Sequence, residues 1–224
     1  MKKISIITCI MFFLSSIALN AQADKNKKKT EKSSSNASTG NGCFNESSKI
    51  LNIGIGIGGR GYYNYNNGYR GSKYRSSPSF GISYEQALKE KIGPGFIGIG
   101  AYLGYQSAYW QYDYDYKNNN NYYYYKHKWK YMFFAARAAY HLDALNFEKG
   151  ELYFGALLGL RYTSYSFETN DIDPNKDSYR LKNSSLWPSY SGFIGGRYYL
   201  ASKIAVYGEI GWMSWLTVGA SFKF

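Results

Sequence analysis

Five charged residues stand in stretches that otherwise alternate apolar with small side chains: Glu85, Arg137, Arg161, Arg197 and Glu209. In an alternating stretch residues i and i+2 share a face, so parity puts each charge opposite the apolar side chains. Two carboxylates and three guanidinium groups converging on a dry interior would form ion pairs. Left unpaired, each would carry a large desolvation cost. The expected pairs are Glu209 with Arg161 toward one end, and Glu85 with Arg197 or Arg137 toward the other. Lys223 and Arg60 fall on the same face near the two ends. Such a set fills and neutralises an interior, which is a structural role. Its functional alternative is the charged constriction of a narrow passive pore.

Other reactive groups are sparse. The histidines are His127 and His141, and neither has a partner at metal-ligand spacing. His127 with Ser107, Asp113 or Asp115 has the residue types of a hydrolytic site, but nothing in the sequence fixes their geometry. No catalytic, cofactor-binding or metal-binding residue is therefore assigned. Gly54-x-Gly56-x-x-Gly59 has the letters of a dinucleotide fingerprint, yet its glycines alternate with isoleucines and no helix follows. They are read instead as small inward positions, like Gly98, Gly100, Gly104, Gly155, Gly159, Gly195 and Gly219. Cys9 lies in the N-terminal apolar segment, which leaves Cys43 as a lone thiol with no internal disulfide.

These residues need strands to position them. Eight are expected, at about 49–60, 78–88, 95–110, 129–142, 151–165, 188–200, 203–212 and 215–224. The last is the clearest: Leu216, Val218, Ala220, Phe222 and Phe224 share one face, Thr217, Gly219, Ser221 and Lys223 the other. Similar faces carry Leu51 to Ile57, Phe80 to Tyr84, Ile97 to Leu103, Met132 to Tyr140 and Leu152 to Leu160, then Ile194 to Leu200 and Ile204 to Ile210. The mean hydropathy of −0.45 conceals them, because alternation cancels in an average. Each segment is long enough to cross a bilayer as a tilted strand, which takes about 9–11 residues.

The flanks and connections set the context. Residues 1–23 read as a signal peptide, with Lys2 and Lys3, an apolar stretch to Leu19 and small residues at Ala21-Gln22-Ala23. Residues 24–48 are Lys/Ser/Asn-rich and read as a disordered linker. After Ala23 no apolar run reaches the roughly 18 residues of a membrane helix, which leaves a closed barrel as a way to span. The formal charge of +12 raises nucleic acid as a partner. A secretion signal without a folded basic motif excludes it, and anionic lipid headgroups or polysaccharide fit better. Connections alternate long (61–77, 111–128, 166–187) and short (89–94, 143–150, 201–202), with a short final turn at Met213-Ser214. Long outer loops and short periplasmic turns follow that rule, so both termini are expected in the periplasm. Trp110, Trp129, Trp187, Trp212 and Trp215 fall at the outer strand ends as an interface girdle, with Tyr84, Tyr140, Tyr153, Tyr198 and Phe224 opposite. The loop stretches Tyr62 to Tyr65, Tyr112 to Tyr116 and Tyr122 to Tyr125 have the composition of adaptable binding loops.

Over residues 49–224 the strand number, loop alternation, inward charges and terminal Phe224 resemble the OmpA/OmpX-like superfamily of small outer-membrane barrels. The signal end resembles those common among Bacteroidetes. The resemblance implies an all-β fold: an eight-stranded antiparallel up-and-down transmembrane β-barrel in a bacterial outer membrane. It also implies outer-membrane lipid and lipopolysaccharide as surroundings, and barrel assembly machinery that reads the last strand at Phe222 and Phe224. No activity transfers with it, because members include adhesins, anchors, defence proteins and enzymes. The expected role is non-enzymatic, structural or in surface contact through the outer loops, whose extracellular ligand is left open. A porin-like passive pore and a lipid A-acting enzyme are the alternatives. No cofactor is expected.

Overall fold

The computed structural model describes residues 43–59, 72–115, 122–147, 149–171, 183–211 and 214–224. Residues 1–23, expected as a signal peptide, residues 24–42, Arg60, the Tyr62 to Tyr65 stretch and Trp212 lie outside them. Nine strands run through the described residues: β1 (Lys49–Ile57), β2 (Lys73–Ser76), β3 (Ser79–Ile92), β4 (Gly95–Asp115), β5 (Tyr122–Phe147), β6 (Gly150–Thr169), β7 (Asn183–Ala201), β8 (Ile204–Gly211) and β9 (Leu216–Lys223). Branched and aromatic side chains on every second position suit a pleated surface, and that is how these segments are built.

All the ladders are antiparallel. β1 pairs with β3, β3 and β2 with β4, and then each strand pairs with the next through to β9. β9 returns to β1, from Ile50 opposite Lys223 to Ile57 opposite Leu216, and this pairing closes the ring. β2 and β3 share one position in it. They are separated at Ser77-Pro78, where proline lacks the N–H a ladder needs. Ser77 N–H still donates to Ser107 O at 2.8 Å, so the two pieces continue one line. The result is an all-β, up-and-down antiparallel ring with eight positions, and closure leaves it without an edge.

Its faces are inverted relative to a water-soluble core. Leu158, Ile194 and Ile210 point outward at 70%, 68% and 68% exposure, while Glu85, Arg137 and Arg197 are 0%, 2% and 3% exposed. Outward Ile53, Ile55, Ile57, Phe80, Ile82 and Leu103 continue the apolar surface around the ring.

Two features depart from the sequence reading. First, β4, β5 and β6 run to 21, 26 and 20 residues, about twice the span of a bilayer. The stretch 111–128, expected as a loop, is largely paired strand: Gln111 lies opposite Lys126 and Asp113 opposite Tyr124. Alternating tyrosines favour pairing over a turn, so the ladder continues as a tall sheet at one end. Second, Cys43–Ser48 is not free linker. Asn45 organises a turn in which its Oδ1 accepts from Ser47 N–H at 3.2 Å and Ser48 N–H donates to Asn45 O at 2.9 Å. Ser48 O then accepts from Ala87 N–H at 2.9 Å, and Phe44 is buried against Ile50, Ala87 and Phe96. Phe44 supplies the apolar surface that the polar tail lacks. This end of the ring is capped, and the opposite end is extended.

Candidate functional site

Inside the capped half lies an ionic cluster built from five strands. Arg137 on β5 donates through Nε to Glu85 Oε2 on β3 at 3.2 Å. It also donates through Nη2 to Glu209 Oε1 on β8 at 2.5 Å. Arg197 on β7 donates to Glu151 on β6, to Ser221 Oγ at 3.0 Å and to Asn52 Oδ1 at 3.3 Å. Ser221 Oγ donates to Asn52 Oδ1 at 2.6 Å, and Asn52 Nδ2 to Ser83 Oγ at 3.0 Å. Tyr153 OH donates to Glu209 Oε1 at 2.9 Å, and the Arg137 guanidinium lies 4.0 Å over the Phe193 ring. Charge-assisted bonds of this kind are the strong ones, and each guanidinium fork reaches two or more acceptors.

The structure thus brings together four of the five charges named from the sequence: Glu85, Arg137, Arg197 and Glu209. Glu209 pairs with Arg137, however, and the expected Glu209–Arg161 pair does not form. Arg161 lies on β6 opposite Phe133, four positions along β5 from Arg137 toward the extended end. Glu151 and His141 were missed, although they are 3% and 2% exposed. The parity of β5 and β6 already pointed both inward. Their nearness to a turn disguised them as end residues. His141 sits between Glu85 Oε1 (3.0 Å from Nε2) and Glu151 Oε1 (3.4 Å from Nδ1). Neither contact meets hydrogen-bond geometry, so the ring lies between the two carboxylates without a directed bond to either. Phe44 stacks on it at 3.6 Å between centroids and 7° between planes. At the rim, Lys223 Nζ donates to Cys43 O at 2.7 Å.

Ala139, Tyr153, Leu157 and Phe193 pack together at the depth of this cluster, with Leu157 opposite Arg137 and Tyr153 opposite His141. Beside Glu209 is a cavity of about 20 Å³, lined by Ser83, Tyr102, Ser191, Tyr207 and Thr217 among others. That is room for about one water molecule. Among the described residues no group of three or more His, Cys, Asp or Glu is placed to hold a metal ion.

The extended end has two distinct faces. Inward, Trp110, Tyr112, Tyr125, His127, Trp129, Tyr165 and Phe167 stack across three strands. Tyr112 and Tyr125 are 5.0 Å apart, Trp110 and His127 5.1 Å, and His127 and Phe167 4.9 Å. His127 Nδ1 lies 2.7 Å from Tyr165 OH, and Tyr125 OH donates to Asp171 Oδ2 at 2.5 Å. Outward are Tyr109, Lys126, Lys128 and Lys130. Parity places Ser107 and Asp113 on this outward face, across the sheet from His127, so neither groups with it; the side chain of Asp115 lies outside the described residues.

The tryptophan girdle also needs correction. Trp187 and Trp215 are exposed at 58% and 66%, but Trp110 is buried at 8% and Trp129 turns into the aromatic stack. An even or odd position on a long strand outweighs the preference of indole for an interface. Tyr153 likewise belongs to the lumen rather than to the opposite girdle, being 1% exposed.

No family model matches the chain, and neither does any curated protein. Among solved structures it is similar to Ail, the attachment invasion locus protein of Yersinia pestis, in complex with the heparin analogue sucrose octasulfate. Identity is 11%, covering 80% of this chain and 99% of that one, with a TM-score of 0.41. The N-terminal β-barrel domain of Pseudomonas aeruginosa OprF gives 12% identity, 80% and 98% coverage and a TM-score of 0.42. The outer membrane protein OprG from Pseudomonas aeruginosa gives 15%, 81% and 98%, and 0.39. These neighbours are outer-membrane β-barrels of the OmpA/OmpX-like type.

Proposed function

We propose that the chain is an integral outer-membrane β-barrel, non-enzymatic, whose tall sheet projects from the cell and makes surface contacts. The carrying observation is the closed ring with its apolar residues outside and its charges inside. In water that exterior would be unstable: soluble monomers rarely expose contiguous apolar patches beyond a few hundred Å². In a bilayer the same exterior is solvated, and strand-to-strand pairing around the closed ring satisfies its backbone groups where β1 to β9 meet.

Sidedness follows from the ends. The capped end carries the beginning of β1 and the end of β9 and is assigned to the periplasm. The extended end is assigned to the outside, and its aromatic and cationic side chains form the contact surface. Tyrosine and tryptophan give large contact area with few torsions to freeze.

A passive pore is disfavoured by the ionic cluster, the apolar side chains interleaved with it and Phe44 at the capped end, which together occupy the interior. A lipid-acting enzyme is disfavoured by the separation of His127 from Ser107 and Asp113.

The reading is tested in two steps. Purified full-length protein should require detergent and should change gel mobility on boiling; a water-soluble product without that shift overturns the membrane assignment. Replacing residues 111–128 with a short Gly/Ser turn should preserve the shift and abolish adhesion of expressing cells to a host or abiotic surface. Unchanged adhesion overturns the contact role.

A further inference from the structure

The outward face of the extended end combines a cation grid with the apolar belt. Register places Lys73, Gln111 and Lys126 side by side across β2, β4 and β5. The next row toward the belt is Arg75, Tyr109 and Lys128, and the one after it brings Ser107 beside Lys130. Successive cations in a column are about 7 Å apart, and the two columns are about 10 Å apart. Below Lys130 the same face turns apolar at once, with Phe80, Tyr105 and Met132 in one row and Ile82, Leu103 and Phe134 in the next. Lys73, Arg75 and Lys130 are exposed. Lys126 lies 4.4 Å over the Tyr109 ring, which holds its stem against the sheet. The opposing charges are few: Glu168 pairs with Lys128, and Asp113 lies one row beyond Gln111. On β6 and β7 the neighbouring described outward side chains include the uncharged Tyr162, Ser164, Ser166, Leu186 and Tyr190.

A ligand matching this surface has acyl chains, more than one anionic group set apart by about 10 Å, and polar atoms between them for Gln111, Tyr109 and Ser107. We propose that this face docks a multiply phosphorylated glycolipid of the surrounding outer leaflet. Its phosphates lie on Lys73, Arg75, Lys126 and Lys130, and its chains lie on the Phe80–Leu103–Phe134 surface. The proposal rests on the membrane reading above and names a partner for it. Basic clusters beside a bilayer recognise anionic headgroups through this same attraction.

Native mass spectrometry of the full chain in detergent tests it, with bis-phosphorylated lipid A, the same lipid dephosphorylated, phosphatidylglycerol and inorganic phosphate as probes. The phosphorylated glycolipid should bind at least tenfold tighter than its dephosphorylated form and than phosphatidylglycerol. The double variant Lys126→Gln/Lys130→Gln should weaken it by about fivefold per charge removed, whereas Lys49→Gln/Lys203→Gln at the capped end should not. Raising salt from about 50 to about 500 mM should weaken the phosphorylated glycolipid and leave its dephosphorylated form unchanged, a readout that stands even where a variant fails to fold. Equal binding of the two lipid A forms, equal loss in the capped-end variant, or full displacement by inorganic phosphate overturns the proposal. A chain without the boiling-dependent shift overturns the membrane reading instead, so the two failures are distinct.

Discussion

Arg137 is the residue on which the interior depends most. Its guanidinium serves Glu85 and Glu209 together and lies on the Phe193 ring, at 2% exposure. Removing one member of a buried pair leaves its partners charged and without compensation, which typically costs about 3–5 kcal/mol. Arg137→Met should therefore lower the unfolding free energy, read by urea titration of the folded protein in detergent, by an amount in that range. Lys128→Ala, which breaks an exposed pair with Glu168, should change stability by about 1 kcal/mol or less. Equal effects of the two would place the stabilisation outside the cluster. Much of this cluster was legible from parity, since an inward charge on a short-period strand has few places to go. Which carboxylate met which guanidinium was not legible. Strand stagger decides depth in the lumen, and depth is why Glu209 reaches Arg137 rather than Arg161.

The strands themselves were legible through their two-residue period, and their ends were not. Alternation marks where a strand exists, but nothing in a run such as Tyr122 to Tyr125 marks where pairing stops. The outer halves of β4 and β5 therefore read as loop. Pairing also makes demands on small residues at the seam between β1 and β9. A Cβ added to Gly219 would lie 2.1 Å from Ile53 O and 2.6 Å from Gly54 Cα, both backbone atoms that cannot give way. Gly219→Val should thus reduce the yield of boiling-sensitive folded protein severalfold, whereas Thr217→Val in the same strand should leave it nearly unchanged. A Gly219→Val barrel that forms normally would mean the seam opens wider than described.

At the scale of the whole molecule, the fillings of the ring act together. Tyr153, Leu157 and Phe193 interleave with the ionic cluster, and Phe44 stacks on His141 at its capped side. Planar-bilayer recording should accordingly show no steady conductance from the unmodified barrel. Steady channels that disappear with Glu209→Gln would show that the cluster lines a conducting path. The seam also governs how this object can come into being. β1 finds its second partner in β9, the last of the described strands, so neither is paired on both sides until β9 has been made. Contacts so distant in sequence form slowly. Until they form, β1 and β9 each present an unpaired edge, which is a template for wrong pairing. Slow closure of the seam therefore lengthens the time in which such mispairing competes with the native ring.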